Sequence, residues 1–475
     1  MATELLETVK AAWDEDILQT LEEYIRIPNQ SPHFDSEWAS NGYTQQAADL
    51  LMAWVKKQNV PGLSIEMMQV EGKTPLIICE HAGNCPGPTT LLYGHADKQP
   101  PMDATQWDTA RGIGPYTPKL IDGKLYGRGG ADDGYAIFAA IIALQLALQQ
   151  QWAIPRCIIL VEFAEESGSR DLPFYVERLR ERIGSVGLVV CLDSGAGDYA
   201  RLWGTTSLRG VVNGTLTVTT MREGLHSGRG SGVVPDVWRC MRQLIGRLED
   251  ETTGLVKPAG LQVTIPPEVQ AQAAVTGKVL GAEVWEEFPL VEGMQPQDPS
   301  PQACLLRRTW QPALTTIGAE GLPPPRDAGN VLRPTGSLVL SMRLPPTLDC
   351  KAAAEVIKTT LEAAPTPQGC QVSFTPTKMS RGWCAPPLAP WLEASVAESS
   401  RQLWQNEPGY IGEGGSIPFM RMLHDAYPTA QFLITGVLGP GSNAHSVNEF
   451  LHVEMAQKIT VAVAHCLRDA ATAWR

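Results

Sequence analysis

The order of apolar and polar positions along the chain predicts helices first and strands soon after. Within residues 1–60, Leu18, Leu21, Ile25 and Ile27 form one imperfect helical stripe, and Ala47 to Val55 carries another. Short strand-like runs follow at Leu76–Cys79, Thr90–Leu92, Cys157–Phe163 and Val186–Leu192. The last two are continuously apolar, as parallel strands covered on both faces tend to be. Helical stretches at Ala136–Gln150 and Leu172–Arg182 alternate with them, which predicts an α/β sheet domain. The pattern changes near residue 207. Val211–Thr219 alternates in part, as a long strand would, and Val237–Leu248 reads as a helix. Lys257 to Pro325 is Pro-rich and reads as irregular, followed by a strand at Ser337–Arg343, a helix at Ala352–Ala363 and a strand at Cys370–Phe374. From Pro387 the helical pattern returns, with a strand at Phe432–Ile434 and a closing helix at Val453–Leu467. The expected architecture is discontinuous. Residues 1–206 and 383–475 form an α/β domain with a mixed, mostly parallel sheet flanked by helices. Residues 207–382 form a smaller α+β domain inserted into it.

Composition narrows the class. A chain of 475 residues, 43% hydrophobic and 19% charged, fills two or three ordinary cores. Its net charge of −13 argues against nucleic acid or an anionic membrane as partner, because both favour basic surfaces. Ten cysteines are scattered without a C-x-x-C pair, several inside apolar runs such as Cys157-Ile158-Ile159-Leu160. Reduced thiols in a cytoplasmic protein fit that usage. The start, Met1 to Glu7, is amphipathic and acidic, unlike a secretory signal. The longest apolar stretch, Ala136 to Leu148, is shorter than the roughly 20 residues a membrane span needs and reads as a buried helix.

Five short segments carry acids and imidazoles at predicted strand ends or in Gly-rich turns. They are Gly94-His95-Ala96-Asp97, Gly129-Gly130-Ala131-Asp132-Asp133-Gly134, Ala164-Glu165-Glu166-Ser167, Leu192-Asp193-Ser194 and Asn443-Ala444-His445-Ser446. Loops at strand ends can project such groups into one cleft. Two His and several carboxylates suit borderline and hard cations such as Zn²⁺ and Mn²⁺. The extended His95-x-Asp97 places both side chains on one side, His95 to bind metal and Asp97 to orient it from behind; a satisfied surface histidine is the competing reading. Asp132 opens a helix and is a candidate bridge between two cations, although an acid there also suits a helix start. Adjacent Glu165 and Glu166 repel each other unless cations neutralise them. The functional division would make Glu166 the ligand and Glu165 the general base; a solvated acidic loop is the competing reading. Asp193 follows a continuous apolar run, and His445 sits in a turn-rich loop. His226, in Leu225-His226-Ser227-Gly228, reads by itself as a solvated loop histidine. Ser227 and Ser416 lack the G-x-S-x-G elbow of a nucleophilic serine.

Taken together, these motifs resemble the carnosinase, aminoacylase, glutamate carboxypeptidase and succinyl-diaminopimelate desuccinylase family of di-metal hydrolases, nearest its carnosinase-like dipeptidase branch. The resemblance rests on Tyr93-Gly94-His95-Ala96-Asp97, Gly127-Arg128-Gly129-Gly130-Ala131-Asp132-Asp133, Glu165-Glu166, Asp193, His445 and Gly414-Gly415-Ser416-Ile417-Pro418. It implies a di-zinc aminopeptidase-like fold with an inserted dimerisation and lid domain. It implies one metal on His95, Asp132 and Asp193, another on Asp132, Glu166 and His445, and a cis Asp132–Asp133 peptide bond. Glu165 would be the general base and acid. His226 would reach the other subunit's site as an oxyanion donor, and Asn330, Arg343, Gly415 and Ser416 would meet substrate. Lys98, in Lys98-Gln99-Pro100, departs from the apolar residue that animal carnosinases carry before the Gln. The expected enzyme is a metal-dependent hydrolase of a small carboxylate-bearing amide: a dipeptidase or exopeptidase, with two divalent ions per subunit, Zn²⁺ first and Mn²⁺ second, in a homodimer. The alternative substrate is an N-acyl amino acid, as for an amidohydrolase or desuccinylase. A homologue that binds metal without catalysis is a third reading, against which stands the presence of Glu165 and every ligand.

Overall fold

The computed structural model of the protein describes residues 2–415 and 417–474. The described chain forms two compact units. Met1–Thr206, Ala385–Ile411 and Met422–Arg475 make the first, and Ser207–Cys384 with Gly412–Arg421 makes the second. Gly412–Arg421 thus groups with the second unit, as do Trp383 and Cys384, which pair with Leu208 and Ser207.

In the first unit, six strands form one sheet in the order Leu63–Met68, Leu76–His81, Cys157–Glu162, Thr89–His95, Val186–Cys191, Gln431–Ile434. The first two junctions are antiparallel and the remaining three parallel. The parallel strands are apolar along nearly their whole length because both faces are covered; every residue of Thr89–His95 and of Cys157–Glu162 is buried. The helix Ala136–Gln149 has the same composition for the same reason. Its Ile137, Phe138, Ile141, Leu144 and Leu146 are buried, and each contributes roughly 1.5–3 kcal/mol on leaving water. By length and composition the segment Gly130–Gln149 could cross a membrane, yet 89% of its most apolar window is buried inside the protein. The helix Val453–Ala473 packs on it and on Pro390–Trp404.

The second unit holds a four-stranded antiparallel sheet in the order Ala313–Glu320, Thr335–Leu344, Gly210–Thr219, Gln371–Ser380. Buried residues of the helices Val237–Leu248 and Cys350–Glu362 share one core with it, including Leu216, Leu244, Ile357 and Phe374. Asp236 and Asp349 cap those helices by accepting from Arg239 N and from Ala352 N. The expectation of irregular chain from Lys257 to Pro325 is corrected. Helices occupy Pro267–Leu280, Glu283–Glu286 and Pro301–Thr309, and Ala313–Glu320 is an edge strand. Pro267 and Pro301 stand in first turns, where the missing N–H costs nothing. The single helix expected at Leu172–Arg182 is two, Leu172–Arg178 and Arg180–Ile183.

Candidate metal centre

The four neighbouring parallel strands deliver the first unit's acids and imidazoles at their carboxyl ends. Thr89–His95 ends on His95, with Asp97 two residues on. Glu165 and Glu166 lie in a short turn after Cys157–Glu162, Asp193 follows Val186–Cys191, and the loop after Gln431–Ile434 leads to His445. Asp132 comes from the turn Gly130–Gly134 ahead of the buried helix, and its peptide bond to Asp133 is cis. Gly129 makes that turn possible. Its φ is +79°, and a Cβ there would meet the Lys98 side chain at 2.6–2.9 Å.

Asp132 stands between two groups. Its Oδ1 lies 3.2 Å from His95 Nε2, which is 3.8 Å from Asp193 Oδ2. Its Oδ2 lies 3.0 Å from His445 Nε2, which is 3.3 Å from Glu166 Oε2. The two trios, His95–Asp132–Asp193 and Asp132–Glu166–His445, each offer ligand atoms lying within 4.8 Å of one another. Asp97 works behind them. Its Oδ1 lies 3.4 Å from His95 Nδ1, while its two oxygens accept from Glu165 N at 3.1 Å and Glu166 N at 3.0 Å. One carboxylate therefore aims the imidazole and fixes the glutamate turn. Gln99 Nε2 donates to Glu166 Oε2 at 2.5 Å, and Glu166 Oε1 is buried with no hydrogen-bond partner among the described residues.

The electrostatics are those of a site built for positive charge. Burial, then Asp193, pushes Glu165 well above the usual carboxylate range, and burial with Asp132 raises Glu166. Burial takes Asp193 to about 7. Burial alone would lower the two histidines, but hydrogen bonds to Asp132 and Asp97 carry His95 well above its ordinary value. Those to Asp132 and Glu166 carry His445 to about 11. The imidazoles thus take the positive charge that the carboxylates demand. Two imidazoles, three carboxylates and an orphaned buried carboxylate oxygen fit a pair of divalent cations.

The remaining expected residues lie in the second unit. His226 and Asn330 are neighbours on a two-stranded ribbon, where His226 pairs with Val331 and Asn330 O accepts from Ser227 N at 2.9 Å. Both are exposed. His226 Nδ1 accepts from Gly228 N at 3.1 Å, which leaves Nε2 as the donor. Arg343 is on the strand Thr335–Leu344, and burial lowers its pKa. Gly415 is exposed, and Ser416 lies outside the described residues. Lys98 is wholly buried. Its Nζ donates to Tyr24 O and Ile27 O, both at 2.6 Å, and so caps the helix Leu18–Arg26. The departure from the carnosinase pattern is thus a helix cap. Gln99, Arg128 and Glu449 were not singled out from the sequence. The available signal was slight: Gln99 and Arg128 stand beside the His95 and Asp132 motifs and Glu449 four residues past His445, where a polar side chain must find partners if buried.

The profile of peptidase family M20/M25/M40 matches residues 91–469. The Cysteinylglycine-S-conjugate dipeptidase of Corynebacterium striatum is 26% identical over 460 residues, covering 95% of each chain. The Beta-Ala-His dipeptidase of Rattus norvegicus is 26% identical over 451 residues, covering 92% of this chain and 89% of the relative. Among solved structures, human carnosine dipeptidase 1 matches with a TM-score of 0.77 at 20% identity over 99% of each chain. Dug1p of Saccharomyces cerevisiae matches with a TM-score of 0.74 at 20% identity, again over 99% of each. At those identities the structural likeness establishes the fold. The matched stretch contains every clustered side chain from His95 to His445, and the chain belongs to peptidase family M20/M25/M40, as a metal-dependent hydrolase.

Proposed function

We propose that this chain is a dipeptidase that hydrolyses the amide bond of a small substrate bearing a free carboxylate. The observation that carries the reading is Asp132, one carboxylate shared by two His-plus-carboxylate trios. His95, Asp132 and Asp193 would hold one divalent ion, and Asp132, Glu166 and His445 a second, with Zn²⁺ the first choice and Mn²⁺ the second. When bound, such a pair acidifies water and polarises a carbonyl. The chain supplies the rest. Glu165 takes the proton from the attacking water and returns it to the leaving amine. Asp97 keeps His95 and the Glu165 turn aligned. Asn330, Gly415 and Ser416 are proposed to line the substrate.

A carboxylate on the substrate suits the second unit's cations. Burial, with repulsion from Arg343 and Arg308, lowers Arg209 to about 10. Arg209 Nε donates to Gly414 O at 3.2 Å, and a Cβ on Gly414 would lie 3.3 Å from Arg308 Cγ. Arg209 and Arg308, both beside Gly414, favour an anion there, and the proposed clamp for it is Arg343. The resemblance to dipeptidases supports a homodimer through the second unit, in which His226 donates to the oxyanion of the partner's site. Ten cysteines without a disulfide support a cytoplasmic location.

The test is a substrate screen of metal-loaded protein, comparing dipeptides with N-acyl amino acids of the same carboxyl-terminal residue. Dipeptides should be cleaved far faster. Preference for N-acyl amino acids would instead make the chain an amidohydrolase with the same catalytic groups.

A further inference from the structure

The two trios are held in place by different means. His95 is 1% exposed, ends a central strand and is gripped by Asp97. His445 has a side chain that is 55% exposed, so packing does little to fix it. Its backbone is also unfavourable for a residue with a side chain. Asn443, His445 and Asn448 have φ of +55°, +61° and +59°, three left-handed positions in six residues. Such a loop keeps its shape only where ties from outside over-determine it.

Asn448 Oδ1 accepts from Asp108 N at 2.8 Å, and the ties nearest His445 converge on one buried ion pair. Arg128 Nη1 donates to Glu449 Oε2 at 2.5 Å, and the two side chains are 1% and 0% exposed. Arg128 Nη2 donates to Ser446 O at 2.7 Å, next to His445, and its Nε to Pro100 O at 3.2 Å, in the loop that follows His95. The other oxygen of Glu449 accepts from Gly129 N at 3.0 Å and Asp132 N at 3.4 Å, and its carbonyl accepts from Gly127 N at 2.9 Å. The pair therefore joins the His445 loop to the Asp132 turn. A fully buried ion pair is a poor source of net stability, because removing two charges from water offsets most of their attraction. What this one supplies is register.

We propose that Arg128 and Glu449 are positioning residues that hold His445 against Asp132, so that the Asp132–Glu166–His445 ion site depends on them and the His95–Asp132–Asp193 site does so far less. The proposal rests on the di-metal reading. Its consequence is separable: loss of the pair should split two comparable binding events into one strong and one weak.

The experiment measures Zn²⁺ uptake by competition with a chromophoric chelator, in wild type, Glu449→Gln and Arg128→Lys, with Co²⁺ absorption spectra and apo-protein thermal unfolding alongside. Wild type should take two ions. Each variant should keep one with wild-type affinity and bind the other 10–100-fold more weakly, the usual effect of losing a group that orients a ligand. Lysine should not rescue, since one ammonium cannot make the three divergent bonds of the guanidinium fork. The Co²⁺ spectrum of the first equivalent should be unchanged and that of the second altered, a signature that general loosening of the fold would not produce. The double variant Arg128→Met with Glu449→Gln leaves no unpaired buried charge, and should show the same weak second site if a single variant folds poorly. Equal loss at both sites, or wild-type affinity at both in any of these variants, would overturn the proposal while leaving the di-metal reading intact. A wild-type chain that takes up no second ion would overturn that reading, and the proposal with it.

Discussion

Glu165 is the side chain whose environment and assigned chemistry agree most closely. Burial and the facing Asp193 push its carboxyl well above the usual range, so it binds a proton readily. Its backbone N–H is fixed by Asp97, and it belongs to neither ligand trio. Replacing it with Gln keeps the shape and removes the basicity. Turnover should fall by roughly 10²–10⁴, the ordinary weight of general acid–base catalysis, while elemental analysis still finds both ions. Near wild-type turnover would remove Glu165 from the mechanism. At this scale the sequence was most legible where a side chain is itself a candidate metal ligand. His95, Asp132, Glu166, Asp193 and His445 were all chosen from strand ends and glycine turns, and the structure gathers them within ligand distance. The residues behind them were less legible. Gln99, Arg128 and Glu449 act through hydrogen bonds to segments up to 321 positions away in the chain, and no local spacing encodes such a partner.

Among elements, the closing helix Val453–Ala473 gives a test of stability rather than catalysis. His465 on that helix shares a hydrogen bond of 3.0 Å with Ser399 Oγ on Pro390–Trp404, and its Nε2 is buried with no hydrogen-bond partner among the described residues. Burial, with Arg468 adding, lowers its pKa to about 4. An unfolded histidine titrates near 6.5. Between these values the unfolded chain binds a proton that the folded chain refuses. Stability from this group is therefore complete above about pH 6.5 and is lost as pH falls towards 4, by up to about 3 kcal/mol. Denaturant midpoints measured across that window should fall more steeply for wild type than for His465→Gln. Identical slopes would mean that His465 takes up its proton as readily folded as unfolded. Element prediction succeeded where one period dominated, as in Val237–Leu248, which forms over the expected residues. It failed from Lys257 to Pro325, where prolines were read as breaks. They stand at helix starts, and the helix Pro267–Leu280 has only Ala273, Thr276, Gly277 and Leu280 buried, too few to show a clear apolar stripe.

For the whole molecule, the proposed dimer makes a prediction no single chain can. If His226 serves the partner's site, His226→Ala should lower turnover at least about 10²-fold, comparable to losing an oxyanion donor, with metal content unchanged. Glu165→Gln and His226→Ala should then rescue each other. In a mixed dimer, one of the two sites combines an intact Glu165 with an intact His226, and activity should return. Verified mixed dimers that remain inactive would sink the shared site and leave the metal centre standing. The second unit supplies two sheet edges, Ala313–Glu320 and Gln371–Ser380, on which a two-fold pairing can be sought.

The sequence by itself determined which atoms can bind metal and that an α/β sheet would present them, because ligand chemistry resides in residue type and strand burial shows as continuous apolar runs. It also marked the change of architecture near residue 207, since alternation replaces those runs. Asp132 was already the expected bridge, but tertiary structure alone set its distances to two imidazoles 350 positions apart in the chain. It also decided that Lys98 caps a helix and that Arg128 and Glu449 tie the His445 loop to the Asp132 turn. Each of these depends on which distant segments the sheet order brings side by side. Strand order is set by the packing of the whole chain, whereas the apolar pattern of a strand carries only its own faces.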